Sequence, residues 1–286
     1  MPFTDIIALI FCHFCDSVFA KDRRWVNNPR ITLDEKRTTQ DDPFDRWVAS
    51  ILKGVGIEHR EIFTGGSLTH PDIVVRYKID SEVSYLGIEV KKLNANEKGT
   101  DPRGMTIDYN STIPCGKFRV YTPRGDSFDI KGYYIFALLD HRVESLERNI
   151  LSFVFADGDL LNDDFELYLD SKTRNESEYN HGPYGEGSVR GRNMYLYPNP
   201  LDSKIFAFSG KVSLVHTDPD LHLNFPLRKI YRVRRPKLNG SENVFYIYRH
   251  TNSPEQFPDS PSDIGLFEKC TKRSKKKRSP YKFVVG

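Results

Sequence analysis

The chain has few cysteines and no internal repeat, so it lacks the features that define disulfide-rich and repeat proteins. Four cysteines in 286 residues are too few for a disulfide scaffold, and they indicate reduced thiols in a cytoplasm. No internal repeat is present, which argues against a solenoid or a propeller. Hydrophobic residues nevertheless make up 38% of the chain. Neither global disorder nor a collagen-like fibre is therefore expected.

A long hydrophobic run is also missing. The apolar stretch Ile6–Phe19 is too short to cross a bilayer. Asp5 stands where a signal peptide carries positive charge, and Asp16 interrupts the end of the stretch. We therefore expect a buried helix here, with no targeting segment, no membrane span and a cytoplasmic location.

Basic and acidic residues nearly balance over most of the chain, and the excess of positive charge lies near its end. Six of the seven residues from Lys272 to Arg278 are basic, and without them the chain has 36 basic and 39 acidic residues. We expect one domain over residues 1–271, with its core at about 41–140, and a basic tail over 272–286. Such a tail suits nucleic-acid phosphates, and a merely solubilising tail is the alternative.

Hydrophobic periodicity predicts helices early in the chain and strands after them. Residues 4–19 fit one apolar helix, and a second begins near Pro43 and ends at Gly54. Strands are predicted at Asp72–Ile79, Val83–Leu93, Tyr133–Leu139, Leu151–Phe155, Phe165–Leu169, Met194–Tyr197, Ile205–Phe208, Val212–Val215 and Val244–Tyr248. This order predicts an α/β fold, with a mixed β-sheet flanked by helices and β-rich insertions in the second half.

Two short charged motifs fall on the first predicted strand pair. Asp72 begins one strand, and Glu89 and Lys91 end the next. Side chains alternate along a strand, so Glu89 and Lys91 share a face while Val90 points to the other. A turn centred on residue 81 pairs residue 72 with residue 90. The expected result is that two carboxylates and an ammonium converge on one edge of the sheet.

This arrangement suits metal-dependent hydrolysis of phosphodiesters. Asp72, Glu89 and the carbonyl of Val90 offer hard oxygen ligands for Mg²⁺, and Lys91 can orient water or stabilise developing charge. The alternative is a surface hairpin with ordinary charges. Apolar neighbours such as Ile88 argue against that alternative, because charges so close to a core usually have a task.

These motifs resemble the PD-(D/E)XK nuclease superfamily, which includes type II restriction endonucleases and archaeal Holliday junction resolvases. The resemblance covers about residues 41–93. It implies a restriction-endonuclease-like core and a catalytic triad of Asp72, Glu89 and Lys91.

The preceding helix carries a candidate fourth acid. Phe44-Asp45-Arg46 resembles the Phe-Glu-Arg of the resolvase helix, which implies a catalytic role for Asp45. Alternatively, Asp45 is a first-turn acid that the helix dipole favours. Glu58 and Glu61 are rival acids.

Segments after the triad offer cationic and hydrogen-bonding side chains that suit contacts with phosphates and base edges. A polar loop packed on the sheet is the alternative. The candidate DNA-binding residues are Lys92, Arg103, Asn110, Ser111, Thr112, Lys117, Arg119, Arg124, Arg190 and Arg192.

Within the superfamily, the resemblance is strongest to a type II restriction endonuclease. The chain lacks helicase and ATPase motifs, and its insertions beyond the core provide room for base contacts. This implies Mg²⁺-dependent cleavage of double-stranded DNA, a homodimer on palindromic sites and a cognate DNA methyltransferase. A structure-specific nuclease, such as a junction resolvase or a repair endonuclease, and a non-catalytic DNA-binding module are the alternatives.

Overall fold

The computed structural model describes residues 3–18, 30–32, 43–57, 60–65, 71–79, 81–95, 106–109, 116–139, 147–160, 195–198, 212–237, 239–253, 262–264, 267–272 and 281–285. Its principal helices are α1 (Phe3–Val18) and α2 (Pro43–Gly54). The strands are β1 (Arg30–Thr32), β2 (Glu61–Thr64), β3 (Ile73–Ile79), β4 (Glu82–Asn94), β5 (Thr106–Tyr109), β6 (Lys117–Tyr121), β7 (Ser127–Leu139), β8 (Glu147–Asp157), β9 (Tyr195–Pro198), β10 (Val212–His216), β11 (Leu227–Pro236), β12 (Glu242–His250), β13 (Ser262–Ile264), β14 (Phe267–Lys272) and β15 (Tyr281–Val285).

Eleven of the described strands form one mixed sheet, in the order β13-β11-β12-β10-β8-β7-β4-β3-β2, with β1 beside β8 and β6 beside β7. The pairs β4–β7, β8–β10 and β11–β13 are parallel, and the other pairs in this sheet are antiparallel. Two small pairs, β14–β15 and β5–β9, lie outside it. The predicted mixed sheet is therefore confirmed.

Strand β7 lies at the centre of this sheet because its sequence suits burial on both faces. The eight residues from Gly132 to Leu139 are all buried. A continuous apolar run of this kind is typical of a strand covered on both sides. Its neighbours β4 and β8 fix the register, with Glu89 beside Tyr134 and Tyr134 beside Ala156.

Both principal helices pack on one face of the sheet. Phe14 of α1 stacks on Phe153 of β8, with ring centroids 4.2 Å apart, and meets the edge of Trp47 of α2 at 5.7 Å. Side-chain alternation points Val90 and Ile135 toward these helices and turns Glu89 to the opposite face. In the described chain, the prediction of a helix-flanked sheet is thus confirmed for one face.

Helix α1 belongs to the core, as its sequence predicts. Cys12 and Cys15 are free and buried in it, and burial raises the pKa of Cys12 to about 12. The thiol therefore stays protonated and packs as a small apolar group. None of the described helices is long and apolar enough to cross a membrane.

Several strands differ from the sequence-based expectation. The sequence indicates β11 only in part: Arg232, Arg234 and Arg235 alternate as on a strand, but five cations interrupt the apolar pattern of the whole element. The predicted strands at 165–169 and 205–208 lie outside the described residues. Within the predicted basic tail, Tyr281–Val285 forms β15 and pairs with β14, so this part of the chain is a strand. Most of the basic run, 273–278, lies outside the described residues, and the domain boundary stays a prediction.

A cluster of charged side chains lies where β8 ends. We call it the charged corner, and it consists of Lys131, Asp157 and Asp159. The ammonium of Lys131 donates to Asp157 Oδ1 at 2.6 Å and to Asp159 Oδ2 at 2.5 Å. Burial alone would lower the pKa of Lys131, but the two carboxylates raise it above its usual value. The lysine therefore stays charged and ties the start of β7 to the end of β8.

His216 stacks on Tyr133 beside this corner, with ring centroids 6.1 Å apart. Its Nδ1 accepts a hydrogen bond from the backbone N–H of Asp218 at 2.9 Å. Burial lowers the pKa of His216 to about 4. The imidazole is therefore neutral in the folded protein at neutral pH.

The aromatic contacts of Phe14 predict a large loss of stability when its ring is removed. Phe14→Ala should lower the free energy of unfolding by about 3–5 kcal/mol, because it opens a cavity against Phe153 and Trp47. Denaturant unfolding measures the effect. Ser17→Ala, an exposed change on the same helix, is the control, with an expected change under about 0.5 kcal/mol. A loss for Phe14→Ala as small as that of the control would contradict this packing.

The depressed pKa of His216 predicts an acid-dependent loss of stability. The folded pKa of about 4 lies below the unfolded value of about 6.5, so the unfolded chain binds a proton first as pH falls. Between these values the wild type should lose up to about 3 kcal/mol relative to His216→Asn, which keeps an acceptor for the Asp218 N–H. Denaturant unfolding of both proteins from pH 7 to pH 4 measures the difference. If the free energy of unfolding changes equally with pH in the wild type and in His216→Asn, the lowered pKa of His216 is refuted.

Candidate active site

The hairpin of β3 and β4 carries the candidate site, and its register differs from the predicted one. Ile79 pairs with Glu82, so the connection has two residues rather than a turn centred on residue 81. Ser81 has a φ of 74°, the left-handed conformation typical of such short connections. Ile73 therefore pairs with Ile88, and Asp72 falls opposite Glu89 by continuation, one residue away from the predicted partner.

Asp72 lies directly before β3, at the point where that strand stops covering the edge of β4. Its Oδ2 accepts a hydrogen bond from the backbone N–H of Val90 at 2.7 Å. The carboxylate thus satisfies a backbone donor that the sheet leaves beyond Ile88. The N–H and C=O of one strand residue leave the strand on the same edge, so the carbonyl of Val90 also faces this edge.

Glu89 and Lys91 lie on the face opposite α1 and α2, and they form an ion pair. The Glu89 side chain is only 5% exposed, whereas that of Lys91 is 28% exposed. Burying a carboxylate is costly unless a positive charge or hydrogen bonds compensate it. Burial of the Glu89 carboxylate therefore costs desolvation free energy, and such buried charges are typical of functional sites.

An aromatic wall, formed by Phe118, Tyr134 and Phe136, borders this pair. Tyr134 lies beside Glu89 and Phe136 beside Lys91 in the register of β4 and β7. The rings of Phe118 and Tyr134 are 5.8 Å apart, and those of Tyr134 and Phe136 are 6.2 Å apart. Such a wall reduces the local dielectric and strengthens every charge interaction at the site.

Gly87, two residues before Glu89, allows the wall to approach β4. A side chain there would overlap the ring of Phe118 and press on Pro71. Glycine inside a strand often marks such a close approach. Sequence analysis missed Phe118 and Gly87, and a glycine within the predicted strand was the available signal.

The donor set at this edge fits Mg²⁺. Asp72, Glu89 and the Val90 carbonyl offer hard oxygen atoms, and Mg²⁺ in phosphoryl-transfer sites uses one or two carboxylates with waters and phosphate. No cluster of three or more His, Cys, Asp or Glu side chains suited to a metal occurs among the described residues. This excludes a full protein cage in that part of the chain but suits a site completed by substrate and water.

Of the two rival acids, only Glu61 lies among the described residues, and it does not join the site. Glu61 lies on β2, where its Oε2 accepts from Arg76 Nη1 at 2.8 Å, several residues along β3 from Asp72. Asp45 lies in the first turn of α2, but its side chain, like all of Glu58, lies outside the described residues. A catalytic role for Asp45 stays a prediction.

The predicted DNA-binding residues fall into three groups. Lys92 points to the face of Val90, away from Glu89, because side chains alternate along β4. Lys117, Arg119 and Arg124 lie on the hairpin of β6 and β7 and are exposed. The remaining predictions lie outside the described residues, namely Arg103, Asn110, Ser111, Thr112, Arg190 and Arg192.

Comparisons with known proteins add little to this geometry. No protein-family model and no curated protein matches the chain. Among solved structures, the chain is similar to the restriction endonuclease BglI bound to its DNA recognition sequence, at 10% sequence identity and a TM-score of 0.28, over 70% of this chain and 82% of that one. A likeness at this TM-score carries no argument, so the function must be argued from this chain's own residues.

Proposed function

We propose that this protein is a Mg²⁺-dependent endonuclease that hydrolyses phosphodiester bonds in double-stranded DNA. The observation that carries the proposal is the placement of Asp72, Glu89 and Lys91 around the edge of β4 that β3 leaves uncovered. Asp72 accepts a hydrogen bond from the Val90 N–H, and the ion pair of Glu89 and Lys91 flanks Val90 beside the aromatic wall. The superfamily resemblance of residues 41–93 supports the same function.

Each side chain has a distinct role in the proposed mechanism. Asp72 and Glu89, with the Val90 carbonyl, would hold Mg²⁺, which supplies Lewis acidity and lowers the pKa of bound water. Lys91 alternates between Glu89 and the substrate, where its ammonium orients the attacking water and stabilises charge on the phosphate. The aromatic wall excludes bulk water and so strengthens these electrostatic contacts. Asp45, in the first turn of α2, is the proposed further acid.

The finer function that we propose is that of a type II restriction endonuclease. Such an enzyme acts as a homodimer, because a two-fold enzyme matches a palindromic site. It also requires a cognate DNA methyltransferase and works in the cytoplasm, where the host genome must be protected. Discrete bands from a linear duplex would support this function. Cleavage of branched DNA alone would instead indicate a structure-specific nuclease such as a junction resolvase or a repair endonuclease.

The metal-ligand roles predict that isosteric amides abolish cleavage without loss of DNA binding. Asp72→Asn keeps an acceptor for the Val90 N–H, and Glu89→Gln keeps the shape of the buried side chain. Each should reduce plasmid cleavage in Mg²⁺ by about 100-fold or more. Duplex binding in Ca²⁺, measured by fluorescence anisotropy, should stay near the wild-type level.

The matched control is Glu61→Gln, which removes an exposed acid on β2 outside the site. It should cleave at the wild-type rate. Near-normal cleavage by either Asp72→Asn or Glu89→Gln would exclude the proposed site. Binding without cleavage by the wild type in every divalent cation would instead indicate a non-catalytic DNA-binding module.

The buried ion pair predicts separate effects on stability and on activity. Lys91→Met should abolish cleavage and also destabilise the fold by about 3 kcal/mol, because it removes the ammonium that compensates the buried Glu89 carboxylate. The double variant Glu89→Gln/Lys91→Met should recover most of the stability and none of the cleavage. Thermal unfolding and plasmid cleavage measure the two effects. If the double variant recovers cleavage, neither residue is catalytic.

A further inference from the structure

A hairpin arm, residues 117–130, extends from the sheet next to the candidate site. It consists of β6, a tight turn and the start of β7. In the turn, Gly125 donates its N–H to the carbonyl of Thr122 at 2.9 Å, and Thr122 donates its N–H to the carbonyl of Asp126 at 2.8 Å. Gly125 has a φ of 90°, which favours glycine, and Pro123 suits the position after Thr122. The tip of the arm is therefore a defined, rigid turn.

The two faces of the arm differ in character. Phe118, which is part of the aromatic wall, and Ile130 are buried on one face. On the same face, the ring centroids of Phe128 and Tyr85 of β4 are 5.0 Å apart. On the other face, Arg119 is exposed, and its guanidinium donates to both carboxylate oxygens of Asp129, at 2.9 and 3.2 Å. This pairing lowers the pKa of Asp129. The apolar face attaches the arm, and the polar face is presented to solvent.

Three sets of contacts hold the base of the arm. Phe118 packs against Gly87, two residues before Glu89, and so couples the arm to the catalytic strand. The charged corner holds Lys131, the residue that follows the arm. Gly116, directly before the arm, packs against the carboxylate of Asp159, and its carbonyl accepts from the N–H of Gly132 at 2.8 Å. The arm is thus fixed relative to Glu89.

The tip carries side chains that contribute nothing to the core. Tyr121 is 70% exposed, although an aromatic ring in water gains no burial energy. Arg124 is exposed at the turn and forms no ion pair within the described part of the chain. Tyrosine and arginine, with tryptophan, are enriched at the energetic centres of protein–protein interfaces. This tip has the composition of a contact surface.

We propose that the arm enters the major groove of duplex DNA and contacts the bases through Tyr121 and Arg124. This inference rests on the proposed endonuclease function. A two-stranded β-ribbon fits the major groove, which is about 12 Å wide, and arginine pairs there with guanine O6 and N7. At about 3.4 Å per residue, the tip lies roughly 10 Å or more along β6 from Phe118. Tyr121 pairs with Ser127, which precedes Tyr134, the neighbour of Glu89, by seven residues. The tip therefore lies roughly 24 Å along the sheet from Glu89, and the bases that it contacts lie on the order of seven base pairs from the phosphate that the site cleaves.

The test uses Glu89→Gln as a non-cleaving background, with Ca²⁺ present. The variants Tyr121→Ala, Arg124→Ala and their combination are compared by anisotropy on a duplex that carries a sequence cut by the wild type and on its scrambled counterpart. The combined variant should lose about tenfold or more of the preference for the cut sequence. Methylation of guanine N7 in the duplex should weaken binding of the background protein and not of Arg124→Ala.

The controls are Leu223→Ala, which removes another large exposed side chain, and Lys53→Ala, which removes an exposed cation on α2. Neither should change binding, and all variants should unfold at the same temperature as the background protein. If the wild type cleaves DNA and the tip variants keep full sequence preference, the arm's role is overturned while the endonuclease function stands. The arm's role is also overturned, and the endonuclease function again stands, if the tip variants change only the self-association of the protein. If the wild type neither binds nor cleaves duplex DNA, both proposals fall.

Discussion

The hydrogen bond between the Val90 N–H and Asp72 fixes the place where β3 leaves the edge of β4. Directly before that point, residues 86–88 of β4 are paired on both edges, with β3 and with β7. Beyond it, this edge of β4 pairs with no strand among the described residues, and the Asp72 carboxylate accepts the hydrogen bond that a strand would otherwise accept there. The edge thus offers a backbone carbonyl and an acidic side chain together. The hard-oxygen site proposed for Mg²⁺ depends on this single interruption of the sheet.

Glu89 is a buried carboxylate in largely aromatic surroundings, which do not favour a charge. The parallel neighbour β7 places Tyr134 beside Glu89. The absence of a side chain at Gly87 allows the ring of Phe118 to approach β4. An apolar residue at position 89 would suit these surroundings better than an ion pair with Lys91. In the proposed endonuclease, the low local dielectric would strengthen the interaction of this pair with a phosphate.

The aromatic wall and the charged corner link the candidate site to the arm. Phe118 belongs both to the wall and to β6, so a shift of the arm would disturb the surroundings of Glu89. Lys131 lies where β6, β7 and β8 meet, and its two carboxylate partners hold that junction. Recognition at the tip and chemistry at β4 would therefore share one rigid support, which allows the position of a base to set the position of a phosphate.

The sequence by itself determined the local parts of this protein. Alternation along β4 put Glu89 and Lys91 on one face, and the apolar spacing around Phe14 and Trp47 predicted the two helices. Tertiary structure decided what local patterns do not encode. The register moved by one residue because Ile79 pairs with Glu82, and Glu61 left the list of acids because Arg76 lies opposite it. Phe118 reached Gly87 only through the pairing of β6 with β7. Local patterns report one strand at a time, whereas register and long-range contacts depend on how several strands pack together.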